Sequence, residues 1–173
     1  MKEPIATITN IFYIILGIII FPNPLFIPFI GLGLTSGWYH WTKTRRAQSW
    51  DVRFMYVTFN SIIAFLLYVL SGSVLEPVLF AIILSTWMGY FLKHYSSTYV
   101  SAWQVMLSTT LVSILGGHLW FIGTFAIAYL FNIPFLNDYH KTRNWNFLTV
   151  DILHGFWHLF TAISYYLIIY QFI

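Results

Sequence analysis

The sequence predicts an all-α polytopic membrane protein, a seven-transmembrane helix bundle that occupies residues 1–173 as a single domain. Three observations carry that prediction. Apolar residues make up 59% of the chain and charged residues only 8%, whereas a soluble domain carries roughly 25% charged residues to keep its surface solvated. Most of this surface must therefore face lipid. The apolar runs also have the length of membrane spans. A helix needs about 20 apolar residues to cross the hydrocarbon core, so seven spans take roughly 140 positions and leave short loops. Finally, the basic residues are confined to one side of the spans.

The spans fall at 4–21, 25–42, 51–70, 74–92, 97–115, 118–134 and 149–171. Phe21-Pro22-Asn23-Pro24 closes the first, Ser71-Gly72-Ser73 divides the third from the fourth, and Gly116-Gly117 divides the fifth from the sixth. The longest connection, 135–148, is polar and aromatic. Pro4 and Asn10 interrupt the N-terminal apolar run and no small-residue cleavage site follows it. It is therefore expected to be an uncleaved first span, not a signal peptide.

Lys2 precedes the first span, and Lys43, Arg45, Arg46 and Arg53 surround the junction of the second and third. Lys93 ends the fourth, and Lys141 and Arg143 lie between the sixth and seventh. All 8 lysines and arginines thus share one face. The positive-inside rule puts the N-terminus in the cytoplasm and the C-terminus outside. Short loops and small size suit a bacterial inner membrane. The net charge of +3 is too small to suggest nucleic acid, and the absence of cysteine excludes disulfides and thiolate metal sites.

Polar groups at membrane depth are costly, so they are functional candidates. Here they converge on the basic side. His40 lies near the end of the second span with Ser36 one turn deeper, Asp51 opens the third, and Asp151, His154 and His158 lie in the first turns of the seventh. His154 and His158 are four apart, which puts them on one helix face. With His40 from another helix, three neutral imidazoles and a water make the open tetrahedral arrangement of a catalytic zinc site. Zinc would lower the pKa of that water to about 7. Asp51 would then orient or deprotonate the water, and Ser36 would donate to a developing oxyanion.

Simpler readings exist for each residue alone. Asp51 fits a helix N-cap. Ser36 fits close helix packing beside Gly31, Gly33 and Gly37. Asp151 fits a cap of the seventh span, or an acceptor that holds the His154 ring. His94, His118 and His140 read as interfacial residues, and Trp38, Trp41, Trp50 and Trp145 as an aromatic belt. The convergence on one layer is what favours the zinc site.

At these positions the sequence resembles the alkaline ceramidase family, part of the CREST superfamily that includes the adiponectin-receptor-like proteins. The resemblance rests on Ser36-Gly-Trp-Tyr-His40, on Asp51 eleven residues further on, and on His154-Gly-Phe-Trp-His158. Asp51-Val-Arg-Phe-Met-Tyr, the stretch after His158, and Glu3-Pro-Ile-Ala-Thr-Ile-Thr-Asn10 are similar to family segments as well. The resemblance implies zinc held by His40, His154 and His158, Asp51 acting on the water, and Ser36 steadying the transition state. It does not extend to the family's acidic calcium cluster, which has no counterpart ahead of Glu3, so calcium is not expected.

The function expected is that of an intramembrane zinc-dependent hydrolase cleaving an amide, as in a ceramide-like N-acyl lipid, or an ester. The alternative is a non-catalytic, receptor-like lipid sensor in which zinc pins the spans, with Asp51 as a fourth ligand. A transporter is the weakest reading, because Asn60 and Gln104 are the only midplane polar groups and no internal repeat is visible.

Overall fold

The computed structural model describes residues 2–94, 107, 110–115, 120–137 and 147–172, and these residues are all-helical, with no strand among them. The named helices are α1 (Pro4–Thr9), α2 (Ile11–Ile19), α3 (Phe26–Thr42), α4 (Arg45–Ser71), α5 (Leu75–His94), α6 (Trp120–Asn137) and α7 (Phe147–Tyr170). Residues 110–115 add a further helical piece. Among the described residues two stretches, Arg45–Ser71 and Leu148–Tyr170, are long and apolar enough to cross a membrane.

The first expected span is divided at Asn10 into α1 and α2. Side chains at the break take backbone carbonyls of the preceding turn. The Thr9 hydroxyl donates to the carbonyls of Ile5 and Ala6 at 3.0 and 3.1 Å, and Asn10 Nδ2 donates to Ala6 at 2.7 Å. Side chains that bond back onto the preceding turn disturb the i→i−4 ladder. The ladder tightens after the break, where Tyr13 N–H donates to the Asn10 carbonyl three residues back, at 3.2 Å.

The α3–α4 junction differs from the expectation too. Lys43 ends α3 in the left-handed conformation, and the extended Thr44 starts α4, its hydroxyl accepting from Ala47 N–H at 3.2 Å. A threonine N-cap satisfies one of the orphan donors of a first turn. Helix α4 therefore begins at Arg45, ahead of the expected 51, and Asp51 sits inside it. The N-cap reading of Asp51 is corrected: Thr44 has that role.

Packing brings α3 against both α2 and α4, α1 against α3 and α7, α2 against α7, α5 against α4, and α6 against α7. Small residues allow the close approaches, as the glycine spacing on α3 predicts. A Cβ on Gly33 would lie 2.6 Å from Ile14 Cγ1 and 2.9 Å from the Asn10 carbonyl oxygen, and one on Gly31 would overlap the Phe54 ring. Away from the histidines the core is apolar, built on Phe29, Ile62, Ile63, Leu66, Ile168 and Ile169. Large apolar side chains such as Ile27, Leu34, Ile82, Ile83 and Leu130 cover the outside. That is the surface expected of helices that face lipid.

Candidate metal centre

Three helices meet where α3 ends and α7 begins, and α1 lies across both. His40 is in the last turn of α3, and His154 and His158 project from one face of α7. All three are buried, at 2%, 4% and 3% exposure. Their ring centres are 4.7 Å (His40–His154), 5.1 Å (His40–His158) and 4.6 Å (His154–His158) apart. One nitrogen from each ring lies within 4.8 Å of the others, a grouping that can hold a metal ion.

Which nitrogens face inward is set by what the outer ones touch. His40 Nδ1 is 2.5 Å from Glu3 Oε2, so it donates its proton to that carboxylate. His158 Nδ1 is 3.1 Å from Thr9 Oγ1. The single Thr9 proton points at the Ile5 and Ala6 carbonyls, so the hydroxyl oxygen accepts from His158 Nδ1–H. In both rings this tautomer puts the proton on Nδ1 and leaves Nε2 unprotonated, the form of the atom that ligates a metal. The Nε2 atoms of His40 and His154 are 3.2 Å apart.

Glu3, just ahead of α1, and Thr9 at its end thus supply the outer partners of two of the three histidines, and the remaining chain fixes α1. Its first residue, Pro4, has no N–H, so the donors of its opening turn are those of Ile5 and Ala6. Asp151, fully buried on α7, accepts both, at 2.9 Å from Ile5 N and 2.8 Å from Ala6 N. Both sequence-based readings of Asp151 are corrected here. It caps neither its own helix nor the His154 ring, but the N-terminus of a helix some 145 residues away in sequence. Glu3 N–H donates to the His40 carbonyl at 3.0 Å. The Glu3 carboxylate also forms an ion pair with Lys43. Burial pushes the Glu3 carboxyl above its ordinary value and the Lys43 ammonium below its own, while their mutual attraction opposes both shifts.

Ser36 and Asp51 form a second polar pair. Ser36 is buried on the histidine-bearing end of α3, near the Asp51 carboxylate of α4. Asp51 does not belong to the three-nitrogen group, so among the described residues that group contains histidines alone.

Two neighbours carry no signal in sequence. Tyr13 stands 5.8 Å, centre to centre, from the His158 ring and hydrogen-bonds Thr161. A tyrosine in an apolar run looks like any other core aromatic. Thr9 looks like an ordinary helix residue until α1 is seen to lie on α7. Asn10 Oδ1 is buried without a hydrogen-bond partner among the described residues. Trp38, Trp41 and Trp50 are exposed at this end, and Lys2 lies over the Trp41 ring at 4.3 Å. His118, His140, Gln104 and Trp145 lie outside the described residues, as does the side chain of His94.

Comparison with protein-family models, with curated proteins and with solved structures finds no match. The chemistry open to the site therefore follows from its donors. Three neutral imidazoles offer nitrogen ligands of intermediate softness, suited to a divalent transition metal and not to calcium or magnesium, which prefer oxygen.

Proposed function

We propose that this chain is a multi-pass membrane hydrolase that uses zinc at His40, His154 and His158 to cleave an amide, or an ester, in a lipid. One observation carries the reading: inward Nε2 atoms whose rings are held from outside by Glu3 and Thr9. Zinc binds imidazole nitrogen at about 2.0–2.1 Å, so two tetrahedral nitrogen ligands lie about 3.4 Å apart. The 3.2 Å between His40 and His154 Nε2 fits that spacing. Carboxylate or hydroxyl partners on the far nitrogen are a regular feature of zinc-bound histidines.

Bound there, zinc supplies a Lewis acid that polarises the scissile carbonyl and acidifies water. The chain's own residues do the rest. Asp51, outside the ligand group and beside it in the fold, takes the proton of the attacking water. Ser36, near the Asp51 carboxylate, donates its hydroxyl to the developing oxyanion. The buried environment excludes bulk water and strengthens each of these contacts. A lipid entering between helices places its polar linkage in this layer, and the products are a fatty acid and an amine-bearing or hydroxyl-bearing lipid.

The resemblance to the alkaline ceramidase family supports the same assignment and favours the amide. With it go the seven-span arrangement, an N-terminus and metal layer on the cytoplasmic side, and residence in a bacterial inner membrane, all argued from the basic residues and loop lengths. A purely structural zinc is the second reading, but such sites usually have four protein ligands. The three-histidine group without Asp51 favours the open, catalytic form.

The test is hydrolysis of N-acyl lipids by detergent-purified protein, beside Asp51→Ala. That variant is expected to keep its zinc and lose about 10²–10⁴-fold in turnover, the usual share of a general base. Full turnover in Asp51→Ala would sink the mechanism. Loss of zinc in the same variant would favour the structural reading.

A further inference from the structure

Lys43 occupies a position where a helix more often places glycine. It closes α3 in the left-handed region, with φ 54°, and its N–H donates to the Tyr39 carbonyl at 2.7 Å. A residue with a Cβ meets a steric cost there, which glycine escapes. The lysine brings an ammonium to the metal centre at that cost. Its Nζ stands 4.5 Å from the centre of the Tyr39 ring, pairs with Glu3 Oε2, and lies 3.4 Å from His40 Nδ1.

The atoms involved make this more than a helix-end charge. Glu3 Oε2 is the oxygen that accepts from His40 Nδ1–H, and the same oxygen takes the Lys43 ammonium. One carboxylate oxygen is thus held between the imidazole and the ammonium. Glu3 has a flexible side chain whose carboxylate can rotate away from the ring, and the pair with Lys43 opposes that rotation. The orientation it keeps is the one that directs His40 Nε2 at His154.

We propose that Lys43 is a positioning residue of the metal centre, acting through Glu3 to hold the His40 ring in its ligating orientation. The proposal rests on the zinc reading above and extends it to a residue that touches no metal. A lysine at this place also complements the C-terminal end of the α3 dipole and helps to dock α1. Those roles concern stability, so the decisive readout is metal affinity.

The experiment is a zinc titration of the full chain in detergent against a competing chelator, with thermal stability measured on the same samples. Lys43→Gly removes the ammonium and also relieves the left-handed strain. The expected result is a zinc affinity about tenfold weaker, in the range usual for partners of metal-bound histidines, with stability equal to or above wild type. Glu3→Ala is expected to weaken zinc at least as much. The Lys43→Gly/Glu3→Ala double variant is expected to lose no more than Glu3→Ala alone, because Lys43 acts through Glu3. Lys43→Arg, which keeps a cation there, is expected to restore most of the affinity. Unchanged affinity in Lys43→Gly, or losses that add in the double variant, would overturn the proposal. A wild-type chain that binds no zinc would overturn the metal reading itself, and this proposal with it.

Discussion

Helices α3 and α7 are joined at one end by directional bonds, most of them through the N-terminal segment, and at the other by packing that includes α4. At the metal end the contacts between elements are specific. Glu3 reaches His40 and Lys43, Thr9 reaches His158, and Asp151 takes two backbone donors of α1. At the other end Phe29, Ile62, Ile63, Leu66, Ile168 and Ile169 fill the space between α3, α4 and α7. The distinction matters in lipid. Acyl chains solvate an isoleucine about as well as a protein core does, so packing there gains little from leaving the solvent. A buried N–H or carboxylate has no such alternative. The bonded end therefore sets the geometry, and the packed end accommodates it.

The contrast orders the effects of substitution. The largest loss of stability is expected for Asp151→Ala. It leaves the Ile5 and Ala6 N–H groups unpaired, at about 1–3 kcal/mol each, so about 2–6 kcal/mol in all. Because α1 carries Glu3 and Thr9, zinc affinity should fall with stability. Denaturation in mixed detergent micelles, combined with a chelator titration, measures both. Zinc affinity that survives the loss of Asp151 would mean that α1 does not govern the site.

A smaller effect is expected for Ile62→Ala, whose side chain is fully buried at the packed end. Such a change costs about 2–5 kcal/mol in a soluble core. Without most of the transfer contribution in lipid, about 1–2 kcal/mol remains for the cavity. Zinc affinity should not change. A loss as large as that of Asp151→Ala, under the same denaturation, would erase the distinction between the two ends. The smallest effect belongs to Thr44→Ala, which removes the α4 N-cap at about 1 kcal/mol and leaves metal binding near wild type. Comparing its chelator titration with that of Lys43→Gly sharpens the point, since these neighbouring residues should separate stability from affinity.

The parts of the site legible in the sequence were those with a local rule behind them. His154 and His158 share a face because they are four apart, and chain direction alone puts His40 and Ser36 at the depth of Asp51. Gly31 and Gly33 on α3 marked a site of close helix packing, and the structure supplies the partners, Phe54 of α4 and Ile14 of α2. What the sequence concealed was partnership across long separations. Asp151 precedes His154 by three residues, and every local rule assigns it to its own helix. Its actual partners, the Ile5 and Ala6 N–H groups, become visible only when α1 is laid on α7. Glu3 and Thr9 were hidden for the same reason, although both stand in the N-terminal segment that resembles the ceramidase pattern. Asp51 was placed at a helix start because the polar run 43–50 reads as a loop, whereas Thr44 capping starts the helix earlier. Of the expected spans, 97–115 is described only at 107 and 110–115.

The account stands on a metal bound between α3 and α7. The most direct measurement is the zinc content of the detergent-purified chain, set beside a His158→Ala control. The account predicts an equimolar amount of zinc in the wild type and its loss in the control. Well-folded wild-type protein that takes up no zinc, even when zinc is supplied, would contradict it.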